Sequence, residues 1–136
     1  INDMSNTFTL SVKDENVSGK ILQETSIGFK TETVTIKEII EARVRQEVDN
    51  YNKRMPEYYT GLVEPGDAEK TINGYKLRNK KTIDAEKQVY VALDAFQKNG
   101  FFVLIDNKQC TSLDQTVQLR NDTYVSFIKL TPLVGG

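Results

Sequence analysis

Alternating apolar and polar residues open the chain. Phe8, Leu10 and Val12 alternate with polar neighbours, which is the pattern of a strand with one buried face. Turn-forming residues follow, and residues 21–30 resume a looser extended pattern in which Gly28 is the expected position of a bulge. The pattern predicts that the chain begins with a β-hairpin.

A helical period replaces this alternation at Thr35. Thr35 and Glu38 have the spacing of a capping box, and Val34 with Ile39 occupies the positions of a hydrophobic staple. Apolar residues then recur at steps of three and four, namely Ile36, Ile40, Val44, Val48 and Tyr51. This stripe predicts an amphipathic helix whose other face is left to water.

Periodicity fades over residues 52–81, a polar segment with several Pro and Gly residues. We interpret it as an inserted loop region in which Tyr58 and Tyr59 pack as a lid or a short helix. A second helix is predicted from about Thr82 to Lys98, with Asn99-Gly100 as a left-handed stop.

The last third of the chain predicts the rest of a sheet. Residues 101–105 form a short apolar run, residues 106–108 a turn, and residues 109–111 a short strand. Leu113 and Val117 anchor a crossing segment, and residues 123–130 form a final strand. Because that strand is apolar on both faces, we expect it in the middle of the sheet. The predicted class is α+β.

The amino-acid composition argues against several classes of function. The 136 residues suit one folded domain, and 18 basic against 19 acidic side chains give a net charge of −1. Such a balance provides no general attraction for nucleic acid or anionic membranes. Cys110 is the only cysteine and there is no histidine, so no internal disulfide forms and the commonest catalytic base is missing. Without an apolar run of membrane-spanning length or a signal-peptide pattern, we expect a cytoplasmic location.

Gly135-Gly136 are the last residues of the sequence. Glycine loses more freedom than any other residue when it is ordered, so the pair contributes little to a core, but it can thread a narrow enzyme channel. Residues 131–134 form an arm before it, in which Pro132 favours an extended backbone. Leu133 and Val134 offer apolar contacts to a partner. The pattern suits a carboxylate that another enzyme activates.

In order, these elements resemble the β-grasp arrangement of ubiquitin-like modifiers. The carboxyl third carries most of the likeness: a strand, the 107–109 turn, a bend at Leu113, a polar turn, the last strand and the diglycine. This third is equally similar to the small sulfur carriers of molybdopterin and thiamin synthesis. The 52–81 insertion and the second helix depart from the compact family pattern.

The resemblance implies one β-grasp domain over 1–136, with the insertion at 52–81 and a flexible tail at 131–136. It implies a modifier most like those of bacterial conjugation operons in antiphage defence, which is not itself an enzyme and needs no cofactor. Its implied partners are an activating enzyme, a conjugating enzyme, a deconjugating metalloprotease and a target protein. The implied site residues are Gly136 and Gly135 for activation and conjugation, and Thr131, Pro132, Leu133 and Val134 for recognition of the tail.

Other interpretations stay open at this point. The chain is alternatively a sulfur carrier with a thiocarboxylate at Gly136, or a noncovalent binding module whose tail is incidental. Cys110 is a catalytic nucleophile or, more commonly, a small buried hydrophobe. Lys76, Arg78, Lys80 and Lys81 form either an anion-binding cluster or a solvated loop.

Overall fold

The structure is a computed structural model that describes residues 7–78 and 81–130. In this part of the chain two helices and nine strands form an α+β fold with a mixed sheet. The elements are β1 Phe8–Glu15, β2 Ile21–Phe29, β3 Thr33–Thr35, α1 Ile36–Arg54, β4 Ala68–Thr71, β5 Gly74–Leu77, α2 Ala85–Gln97, β6 Phe101–Ile105, β7 Lys108–Cys110, β8 Thr116–Gln118 and β9 Tyr124–Lys129.

Five of the strands form the main sheet, in the order β2-β1-β9-β6-β7. β1 and β9 run parallel, and the other neighbouring pairs run antiparallel. The predicted opening hairpin is confirmed by β1 and β2. The expectation that the final strand is central is confirmed as well, since β9 lies between β1 and β6.

The described residues divide into two compact units. The first, called here the sheet unit, comprises residues 7–39 and 96–130, and the second, the insert unit, comprises residues 40–78 and 81–95. The boundaries fall inside the two helices. The prediction of a single domain with an insertion stays a prediction.

Alternate residues of the strands form the core of the sheet unit. Leu10 and Val12 of β1, Val103 of β6, and Val125 and Phe127 of β9 are all at most 2 % exposed. The two residues of β1, and likewise the two of β9, are two positions apart, as expected for one face of a sheet. Fully burying side chains of this kind contributes roughly 1.5–3 kcal/mol each.

The predicted capping box begins α1. The backbone N–H of Thr35 donates to Glu38 Oε1 at 2.8 Å, and the backbone N–H of Glu38 donates to Thr35 Oγ1 at 3.1 Å. These bonds satisfy two donors that a helix start otherwise leaves open. The predicted apolar stripe is buried throughout: Ile36, Ile40, Val44, Val48 and Tyr51.

Two predictions of local structure were wrong. The bulge lies in β2 at Leu22, where the register with β1 shifts between Asp14 and Glu15, whereas Gly28 pairs regularly with Thr9. The predicted loop region begins with the last turn of α1, and its described residues 55–78 form no helix but contain the antiparallel hairpin β4–β5, which a two-residue loop closes. Local turn chemistry around Gly74 allows these strands, which are too short for periodicity to reveal.

The second helix and the crossing segment differ in detail. α2 begins at Ala85, three residues later than Thr82, because the Asp84 carboxylate accepts from the backbone N–H groups of Glu86 and Lys87 and so caps the helix. The left-handed stop is confirmed at Asn99, with φ 61°. The crossing segment contains β8, which pairs antiparallel with β3.

Candidate functional site

The tail predicted to carry the chemistry lies outside the described residues. This applies to the activation residues Gly135 and Gly136 and to the recognition residues Thr131, Pro132, Leu133 and Val134. The expectations for these positions therefore remain predictions.

The described chain approaches this tail from the centre of the main sheet. β9 ends at Lys129 and is held by β1 on one side and by β6 on the other. Leu130, the last described residue, is 46 % exposed. A strand that is hydrogen-bonded on both sides opens less readily than an edge strand, so the end of β9 is held in a fixed position.

Around β9, the sheet carries four partly exposed apolar side chains. They belong to Phe102, Leu104, Tyr124 and Ile128, and we call this surface the β6–β9 face. On both strands these residues alternate with the buried core residues, so they lie on the opposite side of the sheet. Phe102 pairs directly with Ile128, which makes the apolar surface continuous across the two strands.

A cation borders the β6–β9 face. Lys13 of β1 pairs in register with Ser126 of β9, and its Nζ lies 4.5 Å from the centroid of the Tyr124 ring. A Lys ammonium in this position is attracted to the ring, by about 0.5–1 kcal/mol at exposed sites. Glu15 of β1 pairs in register with Ile128 on the same side of the sheet, so the apolar face is bordered by a positive and a negative charge.

This face is only partly predictable from the sequence. The two-sided apolar pattern of the final strand predicts apolar groups on both of its faces, without assigning Tyr124 and Ile128 to the side opposite the core. The run of residues 101–105 predicted a central strand without separating its two faces. Lys13 was missed, since only the parallel pairing of β1 with β9 brings it to Tyr124.

Cys110 occupies a poor position for nucleophilic chemistry. It is 3 % exposed, and its thiol donates to the backbone carbonyl of Lys108 at 3.7 Å. Burial raises the pKa of this thiol, and a backbone hydrogen bond at Ile105 offsets part of the rise. A raised pKa keeps the thiol protonated at neutral pH, whereas the thiolate is the reactive form.

Two members of the predicted basic cluster at residues 76–81 lie near acidic side chains. Lys76 Nζ lies 3.8 Å from a carboxylate oxygen of Glu57, and Arg78 Nη1 lies 3.7 Å from one of Asp67. Lys81 is exposed and Lys80 lies outside the described residues. These contacts favour the interpretation as a solvated loop over an anion site.

Tyr59 packs inside the insert unit. It is 2 % exposed and meets the Tyr51 ring edge to face, with centroids 5.5 Å apart. Its backbone N–H and C=O both bond to Tyr75 of β5, at 2.7 and 2.8 Å. Burial raises the pKa of the Tyr59 phenol well above its usual range; the charge of Glu47 adds to this, and Gln88 and Arg43 oppose it.

No group of metal-ligating side chains occurs within residues 7–78 and 81–130. Over the same residues, neither helix has the length and apolar character that crossing a membrane requires. Comparisons with protein-family models, with curated proteins and with solved structures found no match to this chain.

Proposed function

We propose that the chain is a ubiquitin-like modifier of the β-grasp fold, activated and conjugated through Gly136. The observation that carries the proposal is the order of the main sheet. A parallel pair of first and last strands, flanked by β2 on one side and by β6 and β7 on the other, is what a β-grasp domain would have and so supports the proposal. In the sequence, the central strand β9 is followed by the residues that lead to Gly136.

The proposed chemistry takes place at the Gly136 carboxylate. An activating enzyme joins this carboxylate to AMP from ATP and releases pyrophosphate, because a free carboxylate does not react with amines. A cysteine of that enzyme then displaces AMP and forms a thioester. Attack by a target amine releases the thiol and leaves an isopeptide bond. Two glycines keep the reacting carbonyl free of side-chain obstruction.

The β6–β9 face supplies a surface that such enzymes can recognise. Its four apolar side chains lie in the same strands that bring the chain to residue 130. A partner bound at Ile128 is two residues along the chain from Leu130, the last described residue. Such a partner would bury aromatic and aliphatic groups, which carry most of the energy of typical interfaces.

The test uses a tagged chain that ends at Gly136, incubated with ATP and a lysate of its source cells. We expect larger covalent adducts that resist denaturant and reducing agent. Gly136→Ala should abolish them with no change in thermal stability, while Gly66→Ala, at a glycine whose surroundings are open, should preserve them. Adducts that persist in Gly136→Ala contradict the proposal.

Two alternative outcomes identify the other functions. A gain in mass at the terminus equal to sulfur replacing oxygen identifies a sulfur carrier, which shares the adenylation step. The exposed apolar surface favours a noncovalent binding module as the second candidate. A partner that is retained after deletion of both glycines, and lost in Ile128→Ser, supports that module.

A further inference from the structure

Asparagine is followed by glycine at two places in the sequence, Asn73-Gly74 and Asn99-Gly100. In such a pair the glycine nitrogen can attack the asparagine side-chain amide, because glycine has no Cβ to obstruct the approach. Both asparagines are exposed. The two pairs differ in how firmly the surrounding backbone is held.

Asn73-Gly74 closes the β4–β5 hairpin. Its strands have four residues each and form a two-stranded sheet, and a hairpin of this kind is marginally stable by itself. The Asn73 backbone N–H donates to Thr71 Oγ1 at 3.1 Å, and Thr71 Oγ1 donates to the Gly74 carbonyl at 2.7 Å. Among the described residues no group bonds to the side-chain amide of Asn73. This amide can therefore turn towards the Gly74 nitrogen when the tip opens.

Asn99-Gly100 is held by buried neighbours. Asn99 has a φ of 61°, and its backbone N–H donates to the Phe96 carbonyl at 3.1 Å. Phe96 and Phe101 are 6 % and 2 % exposed, and their ring centroids are 5.9 Å apart. Opening the backbone here disturbs a buried aromatic contact, whereas Ile72 at the hairpin tip is already 89 % exposed. Local opening costs least where few buried contacts break.

The fold also requires the glycine at position 74. Its φ is 127°, in the region that favours glycine, and a methyl group there would lie 2.9 Å from the backbone oxygen of Tyr59. A larger residue, which would slow the attack on Asn73, is therefore disfavoured at this position.

We infer that Asn73 is a site of spontaneous deamidation and isomerisation in the folded chain. The Gly74 nitrogen attacks Cγ of Asn73, so an N–Cγ bond forms and the Cγ–Nδ2 bond breaks. Nδ2 leaves as ammonia and takes up the proton of the Gly74 N–H, which leaves a cyclic imide. Water then opens the imide at one of its two carbonyls. The products are aspartate and isoaspartate, each with a carboxylate where asparagine was neutral.

Isoaspartate changes the hairpin as well as its charge. It adds one carbon to the backbone between residues 73 and 74, which disturbs the Thr71–Gly74 pair at the end of the ladder. The next residue, Tyr75, exchanges backbone hydrogen bonds with Tyr59. We expect the modification to loosen these bonds. The inference does not depend on the proposed function.

The test incubates the full chain in mildly alkaline buffer at body temperature and follows its peptides by mass spectrometry. Asn73 should convert about tenfold faster than Asn99 in the same sample, because the hairpin tip opens more readily. Asn107 is the matched control, since it lies in the two-residue loop between β6 and β7 but is followed by Lys108. It should stay unconverted.

Two further measurements separate the chemistry from its structural cause. In guanidinium chloride, Asn73 and Asn99 should convert at similar rates, since folding no longer distinguishes them. Asn73→Gln should prevent the conversion, because the longer side chain closes the corresponding ring far more slowly. The Tyr75 N–H should lose protection from hydrogen exchange in the aged wild type and keep it in aged Asn73→Gln.

Three results would overturn the inference. The first is a folded chain in which Asn99 or Asn107 converts as fast as Asn73. The second is a difference between Asn73 and Asn99 that persists in guanidinium chloride. The third is an aged wild type in which Asn73 remains intact.

Discussion

The sheet unit and the insert unit are stabilised in different ways. In the sheet unit, strands pair over many residues and their side chains alternate between core and surface, so stability is spread over a repeating pattern. In the insert unit, single side chains bond to backbone groups far away in sequence. Asn52 makes two bonds to the backbone of Ile83, and Gln88 Nε2 donates to the carbonyl of Val63 at 3.0 Å. Individual residues therefore carry more of its specificity.

The largest effect is expected in the core of the sheet unit. Phe127 is 0 % exposed, and its ring centroid lies 6.2 Å from that of Phe101. Phe127→Ala removes this buried ring and should cost about 3–5 kcal/mol, measured by urea unfolding. Phe102→Ala, on the partly exposed β6–β9 face, should cost less than half as much. An equal cost would place Phe102 in the core and remove the support for a partner surface there.

In the insert unit, the sharpest test is steric. A methyl group added at Gly61 would overlap the Tyr59 ring, while one added at Gly66 would meet nothing. Gly61→Ala should cost about 3 kcal/mol, because the buried ring has to move. Gly66→Ala should change the free energy of unfolding by less than about 0.5 kcal/mol. Similar values for the two variants would mean that the Tyr59 ring is not held against Gly61.

The Asn52 contact tests the role of single polar side chains. Its amide accepts from the backbone N–H of Ile83 at 2.8 Å and donates to the backbone C=O of Ile83 at 3.0 Å. Asn52→Ala leaves both backbone groups without these bonds and should cost about 2 kcal/mol. Asn50→Ala, at an exposed position of the same helix, is the control. Equal unfolding midpoints for the two variants would show that water replaces the Asn52 amide.

A smaller effect is expected at the start of α1. Thr35→Ala removes the hydroxyl that accepts from the Glu38 N–H, and loss of such a cap typically costs about 1 kcal/mol. Thr116→Ala, in the exposed position that pairs with Thr35 in β8, should cost less than about 0.5 kcal/mol. Urea unfolding of the two variants measures the difference. No difference would mean that the cap contributes nothing in solution.

These differences explain which elements the sequence could predict. The opening strand and α1 have periodic apolar positions or a capping box, and β9 has apolar groups on both faces; each was predicted within a few residues. The β4–β5 hairpin has strands of four residues, too short for a period to be recognised. It is also held by the Tyr59–Tyr75 backbone bonds, which no local pattern encodes.

The candidate surface was predictable only in part, for a similar reason. The sequence predicted apolar groups on both faces of the final strand, and the structure assigns Tyr124 and Ile128 to the side opposite the core. Lys13 lies far away in sequence and reaches Tyr124 only through the parallel pairing of β1 with β9. Long-range pairing is not contained in a single segment's periodicity, so this part of the surface required the structure.

A further small effect at neutral pH concerns the buried Tyr59 hydroxyl: no described group meets it in good hydrogen-bond geometry, although a weak bond with the Gln88 side chain lowers its pKa slightly. Removing such a group relieves a desolvation cost. Tyr59→Phe should therefore stabilise the protein by between zero and about 1 kcal/mol at neutral pH. A clear loss of stability would show that the hydroxyl makes a bond in solution.

Alkaline pH should enlarge the difference between Tyr59→Phe and the wild type. Because burial raises the pKa of Tyr59, the folded chain keeps this proton while the unfolded chain loses it above about pH 10. Stability is full below that pH and falls above it, by up to about 1.4 kcal/mol per pH unit from this group. Urea unfolding between about pH 8 and pH 11 should show a shallower decline for Tyr59→Phe. Tyr90→Phe removes a phenol that is 74 % exposed, so comparing the two variants isolates the effect of burial. Equal slopes for the two would mean that the insert unit opens to water around Tyr59.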